Sequence, residues 1–244
     1  MAPLRSRQSQ RPRESERAKR SGASKDAVHH PVFARVYARQ SVASERVVAP
    51  YRRELLAGLS GRVIEIGAGN GLNFSHYPSS VSEVVAIEPE RLLREIALTA
   101  ARRAEVPVDV VPATAEALPV KSEAFDAVVL CLVLCSVRDV RRALAEVHRV
   151  LRPGGEVRFF EHELSPQGRA MPMVQRGLDR SRVWGLFTGG CHVARTPVAS
   201  LAAAGFDEPE HRRMRLPERG PRTPVSYFVL GSARRPVAGG ANSP

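Results

Sequence analysis

The segment from Arg62 to Gly71, Arg-Val-Ile-Glu-Ile-Gly-Ala-Gly-Asn-Gly, constrains the fold more than any other part of the chain. An apolar run (Val63, Ile64, Ile66) carries one acid, Glu65, and opens directly into glycines at 67, 69 and 71. A buried parallel strand ends this way when its turn must let a ligand touch the backbone. Glycine adopts positive φ and has no Cβ, so peptide N–H groups can approach a polar ligand closely. The Gly-x-Gly-x-Gly spacing is tighter than the Gly-x-Gly-x-x-Gly of dinucleotide sites. An acid two places before the first glycine suits a ligand with an ammonium group. Both details favour S-adenosylmethionine over a pyrophosphate cofactor.

Around this segment the chain alternates strand and helix. Strands are predicted at 62–66, 81–88, 108–111, 125–133, 156–161, about 211–216 and 225–230. Helices are predicted at 90–103, 137–151 and 196–204. Such alternation argues for a mostly parallel sheet covered on both faces by helices. Before it, Val32, Phe33, Val36, Val47, Val48, Tyr51, Leu55 and Leu56 recur at helical spacing. That predicts an N-terminal helical cap, divided into two helices at Pro50. Residues 164–192 break the rhythm and form an insertion on the substrate side.

A net charge of +12 suggests a polyanion partner until it is divided along the chain. Residues 1–31 hold eight Lys/Arg and three acids, and 212–244 hold seven arginines and one acid. The remaining 180 residues carry 22 bases against 21 acids, so the basicity belongs to the ends. Tails of this kind hold polyanions in a salt-dependent way. No aromatic residues interleave with the N-terminal arginines for base stacking, and nucleic acid is not a required partner. Segments 1–28 and 232–244 are expected to be disordered, leaving one domain over 29–231.

Three cysteines, Cys131, Cys135 and Cys191, are too few for a disulfide framework and lack a zinc pattern; no metal is expected. With no apolar signal core, and no apolar run longer than Ala127 to Cys135, a soluble cytoplasmic protein is expected.

Three further elements narrow the chemistry. Val84-Val85-Ala86-Ile87-Glu88-Pro89 is a buried strand ending in a carboxylate, seventeen residues after Gly71. An acid at a strand's carboxyl end binds ribose hydroxyls. Ala113-Thr114-Ala115 and Leu151-Arg152-Pro153-Gly154-Gly155 follow in order. With these, the chain over residues 33–232 resembles the class I S-adenosylmethionine-dependent methyltransferases, in the branch of the ubiquinone/menaquinone C-methyltransferases. Gly71 through Pro78, Leu132 through Val137, Glu161-His162 and Gly190-Cys191 are similar to the methyltransferase-like thiol S-methyltransferases. The chain departs from that group in having a basic polar N-terminal segment where they carry a hydrophobic anchor.

The resemblance implies a Rossmann-like, seven-stranded, mostly parallel sheet and S-adenosylmethionine as cofactor. It places Gly67, Ala68, Gly69, Gly71 and Asn73 along the methionine and ribose, Glu65 near the amino group, and Glu88 on the ribose diol. Pro89 flanks the adenine, Thr114-Ala115 stand where relatives have Asp-Ala, and Cys131 lies beneath the methionine. Cys135, Glu161, Trp184 and Cys191 fall on the substrate side. His162 and His192 are the available general bases, and a histidine after a strand is equally a structural residue. Glu161 either orients His162 or binds a cation. Trp184, Phe187 and Met173 either line the acceptor pocket or fill the core, and Asp179 is a helix-end residue. The implied reaction is methyl transfer to a small molecule, a thiol first; O-, N- or C-methylation of another metabolite or quinone-type ring, and nucleic-acid binding or modification through the tails, are the alternatives.

Overall fold

The computed structural model describes residues 31–181, 184–185 and 188–237. The expected N-terminal tail 1–28, Phe187 and residues 238–244 lie outside the described residues. In chain order the elements are α1 (Pro31–Leu56), β1 (Gly61–Ile66), a 3-10 turn (Phe74–His76), β2 (Val81–Ile87), α2 (Arg91–Ala101), β3 (Val108–Val111), β4 (Phe125–Cys131), α3 (Val140–Val150), β5 (Leu151–His162), α4 (Ala170–Ser181), α5 (Pro197–Ala203), β6 (Glu210–Arg215) and β7 (Tyr227–Arg234).

The strands form one sheet in the order β3-β2-β1-β4-β5-β7-β6. β1 pairs in parallel with β2 and β4, β2 with β3, and β4 with β5, whereas β7 runs antiparallel to both β5 and β6. This is the mostly parallel sheet that the alternation predicts, in the Rossmann-like form that the resemblance implies. Strand order reverses between β1 and β4, so the carboxyl ends of β1, β2, β3, β4 and β5 all meet one edge with a crevice at its centre. In open α/β sheets that crevice binds the ligand.

Strand alternation divides each buried strand between two cores. Ile64, Ile66, Val128, Leu130, Val157 and Phe159 face the core covered by α3 and α5. Val63, Ala127, Val129, Cys131 and Phe160 face the core covered by α1 and α2. α3 presents Ala143, Leu144, Val147 and Val150 at helical spacing and is capped by Asp139, which accepts the Arg141 and Arg142 N–H groups.

Three features depart from the sequence-based expectation. α1 is one continuous helix with Pro50 inside it, not two helices. An interior proline costs about 3 kcal/mol. Here that cost is met from both sides: Ala34 packs fully before Pro50, Leu55 and Leu56 after it, and the exposed Pro50 ring lies on the solvent side. β5 begins at Leu151 because Phe125 pairs with Leu151 and Ala127 with Glu156, looping out the Arg-Pro-Gly-Gly turn between them. β7 runs on to Arg234, past the domain end expected at 231. There Arg235 exchanges backbone bonds with Gly154 and Gly155 and ion-pairs with Glu123 at 2.8 Å.

The insertion is stapled down by one residue. Gln175 on α4 is fully buried; its Oε1 accepts the Ser165 N–H at 2.8 Å, and its Nε2 donates to the carbonyls of Glu163, Val193 and Pro224. Truncating it orphans a buried amide and three carbonyls, each worth about 1–3 kcal/mol when unsatisfied. Gln175→Ala is therefore expected to destabilise the chain by about 2–3 kcal/mol in urea denaturation; a change under about 0.5 kcal/mol, the scale of neutral surface substitutions, would contradict the assignment.

Candidate active site

The crevice is built from five strand ends. At its centre the glycine turn leaves β1 with Gly67, Gly69 and Gly71 all at positive φ, between 58° and 78°. The space beside each glycine is taken as well. A Cβ on Gly67 would overlap the Val133 side chain, and one on Gly71 would strike Phe74 at 2.7 Å. The turn's N–H groups are not the open donors that the glycine pattern suggests. Gly67 and Ala68 donate to the Ile87 carbonyl at 2.9 and 3.0 Å, and Gly69 donates to Glu88 Oε2 at 2.7 Å. These bonds fix the turn to the end of β2, so the glycines provide shape and clearance above it.

Glu88 sits beside the turn with Oε2 on Gly69 and Oε1 accepting the Glu90 N–H at 2.9 Å. Each carboxylate oxygen keeps a second acceptor site, so a locked Glu88 can still receive a diol. Burial pushes its carboxyl up to about 7 against those two backbone bonds. Glu90 caps α2 through Leu93 N–H and leaves its buried Oε1 without a partner among the described residues. One strand further out, Thr114 and the buried Ala115 follow β3, with Pro89 between them and Glu88 in chain order. Thr114, Glu88, the glycine turn and Cys131 thus stand at four neighbouring strand ends, which at about 4.8 Å per strand gives a track of roughly 15 Å.

Beneath the turn lies a buried polar network. Glu65, 1% exposed, accepts Asn73 Nδ2 and Tyr77 Oη, both at 2.8 Å. Asn73 Oδ1 accepts Arg52 Nη1 at 2.9 Å, and the same nitrogen reaches Cys131 Sγ at 3.2 Å. Arg52 comes from α1, is 6% exposed, and ion-pairs with Glu45 at 3.2 Å. Burial pushes the Glu65 carboxyl up to about 7, opposed by the Tyr77 and Asn73 hydrogen bonds and the Arg52 charge. Burial also raises the Cys131 thiol to about 11. Further along α1, the Tyr37 ring lies over Gly69, and Ser41 Oγ accepts from Asn70 at 3.0 Å.

At the other end, the loop after β4 starts at Leu132, a non-glycine residue at φ 60°. Glu161, fully buried, accepts the Val133 and Leu134 N–H groups on Oε1 at 2.8 and 2.9 Å. Arg195 grips the carbonyls of Leu134 and Val137 from the opposite side. Burial pushes the Glu161 carboxyl up to about 7. Successive strand residues face opposite sides, so Glu161 braces this loop and does not orient His162. The His162 ring packs 4.4 Å from Phe228, and burial lowers its pKa to about 4, which leaves it neutral and a weak base.

His192 lies in the insertion, 3.7 Å from Asp179. Asp179 also accepts the N–H groups of Val193 and Ala194, so it ties the end of α4 to the following segment. Trp184 packs with Cys135, Cys191 and Val193. Met173 does neither of the things its sequence context suggests: it is 69% exposed on the outer side of α4. Tyr37, Arg52 and Arg195 are crevice residues that no motif marks, and Tyr77 lies in the Gly71–Pro78 stretch without a role assigned to it there. The one available signal is the spacing of Tyr37, Ser41, Glu45 and Arg52, which puts a polar stripe on the inner side of α1.

Comparison with known proteins places the chain. Residues 64–159 match the family described as Methyltransferase domain. A SAM-dependent methyltransferase from Thermotoga maritima has the same fold, with a TM-score of 0.60 at 22% identity, over 84% of this chain and 98% of that one. So does the 1,6-didemethyltoxoflavin-N1-methyltransferase of Burkholderia thailandensis, solved with S-adenosylhomocysteine, at TM-score 0.60 and 20% identity over 97% and 93%. Human thiol S-methyltransferase TMT1B is 33% identical over 202 residues, 78% of this chain and 80% of the relative. The chain belongs to the class I S-adenosylmethionine-dependent methyltransferases, enzymes whose cofactor is S-adenosylmethionine. Among the described residues no helix is long and apolar enough to cross a membrane.

The buried carboxylates make stability depend on pH. Glu65, Glu88 and Glu161 are each raised from 4.5 to about 7, so each contributes stability that is complete below pH 4.5 and lost as pH rises through about 7. His162, lowered from 6.5 to about 4, and His148, also lowered by burial, work the opposite way, but the three raised carboxyls outweigh them. The ligand-free enzyme is expected to have a higher urea midpoint at about pH 5 than at about pH 7.5. An equal or higher midpoint at the upper pH would rule out this charge state of the crevice.

Proposed function

We propose that this enzyme methylates small thiols. The observation that carries this reading is the soft lining of the acceptor end, where Cys135, Cys191 and Trp184 pack together and the histidine at the end of β5 is a weak base. His162 is depressed to about 4, and Glu161 spends one oxygen on two backbone N–H groups. A hydroxyl or carbon acceptor needs a competent general base. A thiol of pKa roughly 8–9 supplies its own thiolate near neutral pH. Human TMT1B and TMT1A are thiol S-methyltransferases, each 33% identical to this chain, and that activity supports the same direction.

S-adenosylmethionine, when bound, supplies a sulfonium-activated methyl group for in-line displacement. The protein's part is positioning and exclusion of water. Glu88 receives the ribose diol on its remaining lone pairs, and Glu90 Oε1 is a second free acceptor beside it. Thr114 offers the adenine edge a neutral hydroxyl, next to Pro89 and Ala115. Gly67, Ala68, Gly69 and Gly71 give the cofactor clearance along the turn. Arg52 offers its cationic edge to the cofactor's carboxylate, while Glu65, held through Asn73, balances the ammonium. Tyr37 roofs the turn and Cys131 lies under the methionine. Cys135, Cys191 and Trp184 give the acceptor end a soft, uncharged lining. His192, more open than His162, has no required role with a thiolate acceptor. A cytoplasmic site of action is part of the same reading.

Replacing Glu88 by Ala is expected to weaken S-adenosylmethionine binding by about 1–3 kcal/mol in calorimetry, the scale of a lost charged hydrogen bond. Unchanged affinity would discredit the ribose assignment. Across a panel of small thiols, phenols and amines with mass-spectrometric detection, methylated thiols are expected as the main products. The rate should rise with pH toward the acceptor pKa. His162→Gln should keep the rate within a few-fold, whereas a loss of about 100-fold, the scale of a lost general base, would overturn the base-free scheme.

A further inference from the structure

Cys135 and Cys191 come from distant segments and meet at the acceptor end. The His192 N–H donates to the Cys135 carbonyl at 2.7 Å, which lays the two backbones side by side. Their side chains form one packed cluster with Val193, and Cys135 Sγ also lies 3.6 Å from the Leu132 carbonyl and 3.5 Å from Ser136 Oγ. Both are free thiols, with Cys135 3% and Cys191 9% exposed. Cys131 is set apart, on the other face of the sheet against Arg52. Each segment is pinned independently: Glu161 and Arg195 hold the Cys135 loop, while Gln175 and Asp179 hold Val193. Two thiols held together in this way have the high effective concentration that ring closure to a disulfide requires.

We propose that Cys135 and Cys191 are a thiol–disulfide exchange site, closed to an internal disulfide by low-molecular-weight disulfides of the acceptor's own class. The more open Cys191 loses its proton to solvent, and its thiolate attacks one sulfur of RSSR. A Cys191–S–S–R bond forms and RS⁻ leaves. Cys135 then loses its proton to solvent and attacks the Cys191 sulfur, forming the Cys135–Cys191 bond and expelling the second RS⁻. The two thiolates take up two protons, so the protein is oxidised by two electrons and RSSR is reduced to two RSH. The Cys191 contact and burial hold the Cys135 thiol well above its usual range, and burial still acts once Cys191 is capped, so closure is slow at neutral pH and faster in base. A bond of about 2.05 Å draws the Cys191 turn onto the β4 loop. That loop also carries Val133, the residue packed against Gly67. Closure therefore couples the oxidation state of the acceptor pool to methyl transfer, a consequence that rests on the thiol reading above.

The test uses the full reduced chain incubated with 2-hydroxyethyl disulfide at about pH 7 and about pH 9, then alkylated and mapped without reduction by mass spectrometry. The expected product is a Cys135 peptide joined to a Cys191 peptide, two hydrogens lighter, forming faster at the higher pH, with Cys131 unlinked. In Cys135→Ser, a mixed disulfide at Cys191 should accumulate instead. Persistent mixed disulfides without an internal link in the unsubstituted chain, or a link through Cys131, would overturn the site. In a methyl-transfer assay with a small thiol, the linked form should be several-fold slower and recover with dithiothreitol, and Cys191→Ala should not respond to the disulfide. An internal link with unchanged activity overturns the coupling to catalysis. A reduced enzyme inactive on all thiols refutes the acceptor assignment alone, because the peptide map is independent of it.

Discussion

The crevice depends on the buried chain of contacts from Glu45 through Arg52, Asn73 and Glu65 to Tyr77. It joins α1 to the end of β1 beneath the glycine turn, so the roof and floor of the crevice share one polar skeleton. A buried network of this kind is stabilising only while every member is satisfied, since an orphaned charge in a low-dielectric interior costs several kcal/mol. Arg52 is the member whose loss would expose the most, because it pairs with Glu45, Asn73 and Cys131 together. The same guanidinium explains how a thiol and a carboxylate can lie side by side under a site built for a cationic cofactor.

From one end of the crevice to the other the chemistry changes in a sense that fits the reaction. The β2 and β3 ends carry oxygens, from Glu88, Glu90 and Thr114, where the proposed reading seats the polar nucleoside. The β4 and β5 ends offer sulfur, aromatic and aliphatic surface, with their polar groups turned inward to brace the backbone. Glu161 and Arg195 make the contrast plain: both are charged, and both spend their hydrogen bonds on the loop at 132–137. A loop that begins with Leu132 in the left-handed region stays in place only because such contacts over-determine it.

The sheet and the elements that meet at the crevice were readable from the chain because their signals are local. An apolar β-branched run followed by glycines, or a strand ending in Glu88, needs no knowledge of distant partners. Where the reading missed, a tertiary contact had overruled a local preference. Pro50 should end a helix, yet packing on both sides carries α1 through it. Met173 is apolar enough for a core, yet α4 presents Gln175 inward instead, because one amide can satisfy four backbone groups there. Glu161 and His162 are neighbours in sequence, yet strand alternation sends them to opposite sides of the sheet.

By itself the sequence determined a mostly parallel α/β sheet with a glycine turn after β1 that favours S-adenosylmethionine, both from periodicity and spacing within a few dozen residues. Its resemblance to the class I methyltransferases supplied the Rossmann-like order and completed the cofactor assignment. Only the tertiary structure decided that α1 roofs the glycine turn through Tyr37 and Arg52, and that the turn's N–H groups are spent on Ile87 and Glu88. It alone brought Cys135 against Cys191. Those contacts join residues far apart in the chain, and no local pattern encodes a distance that only packing and hydrogen bonding across the sheet can set.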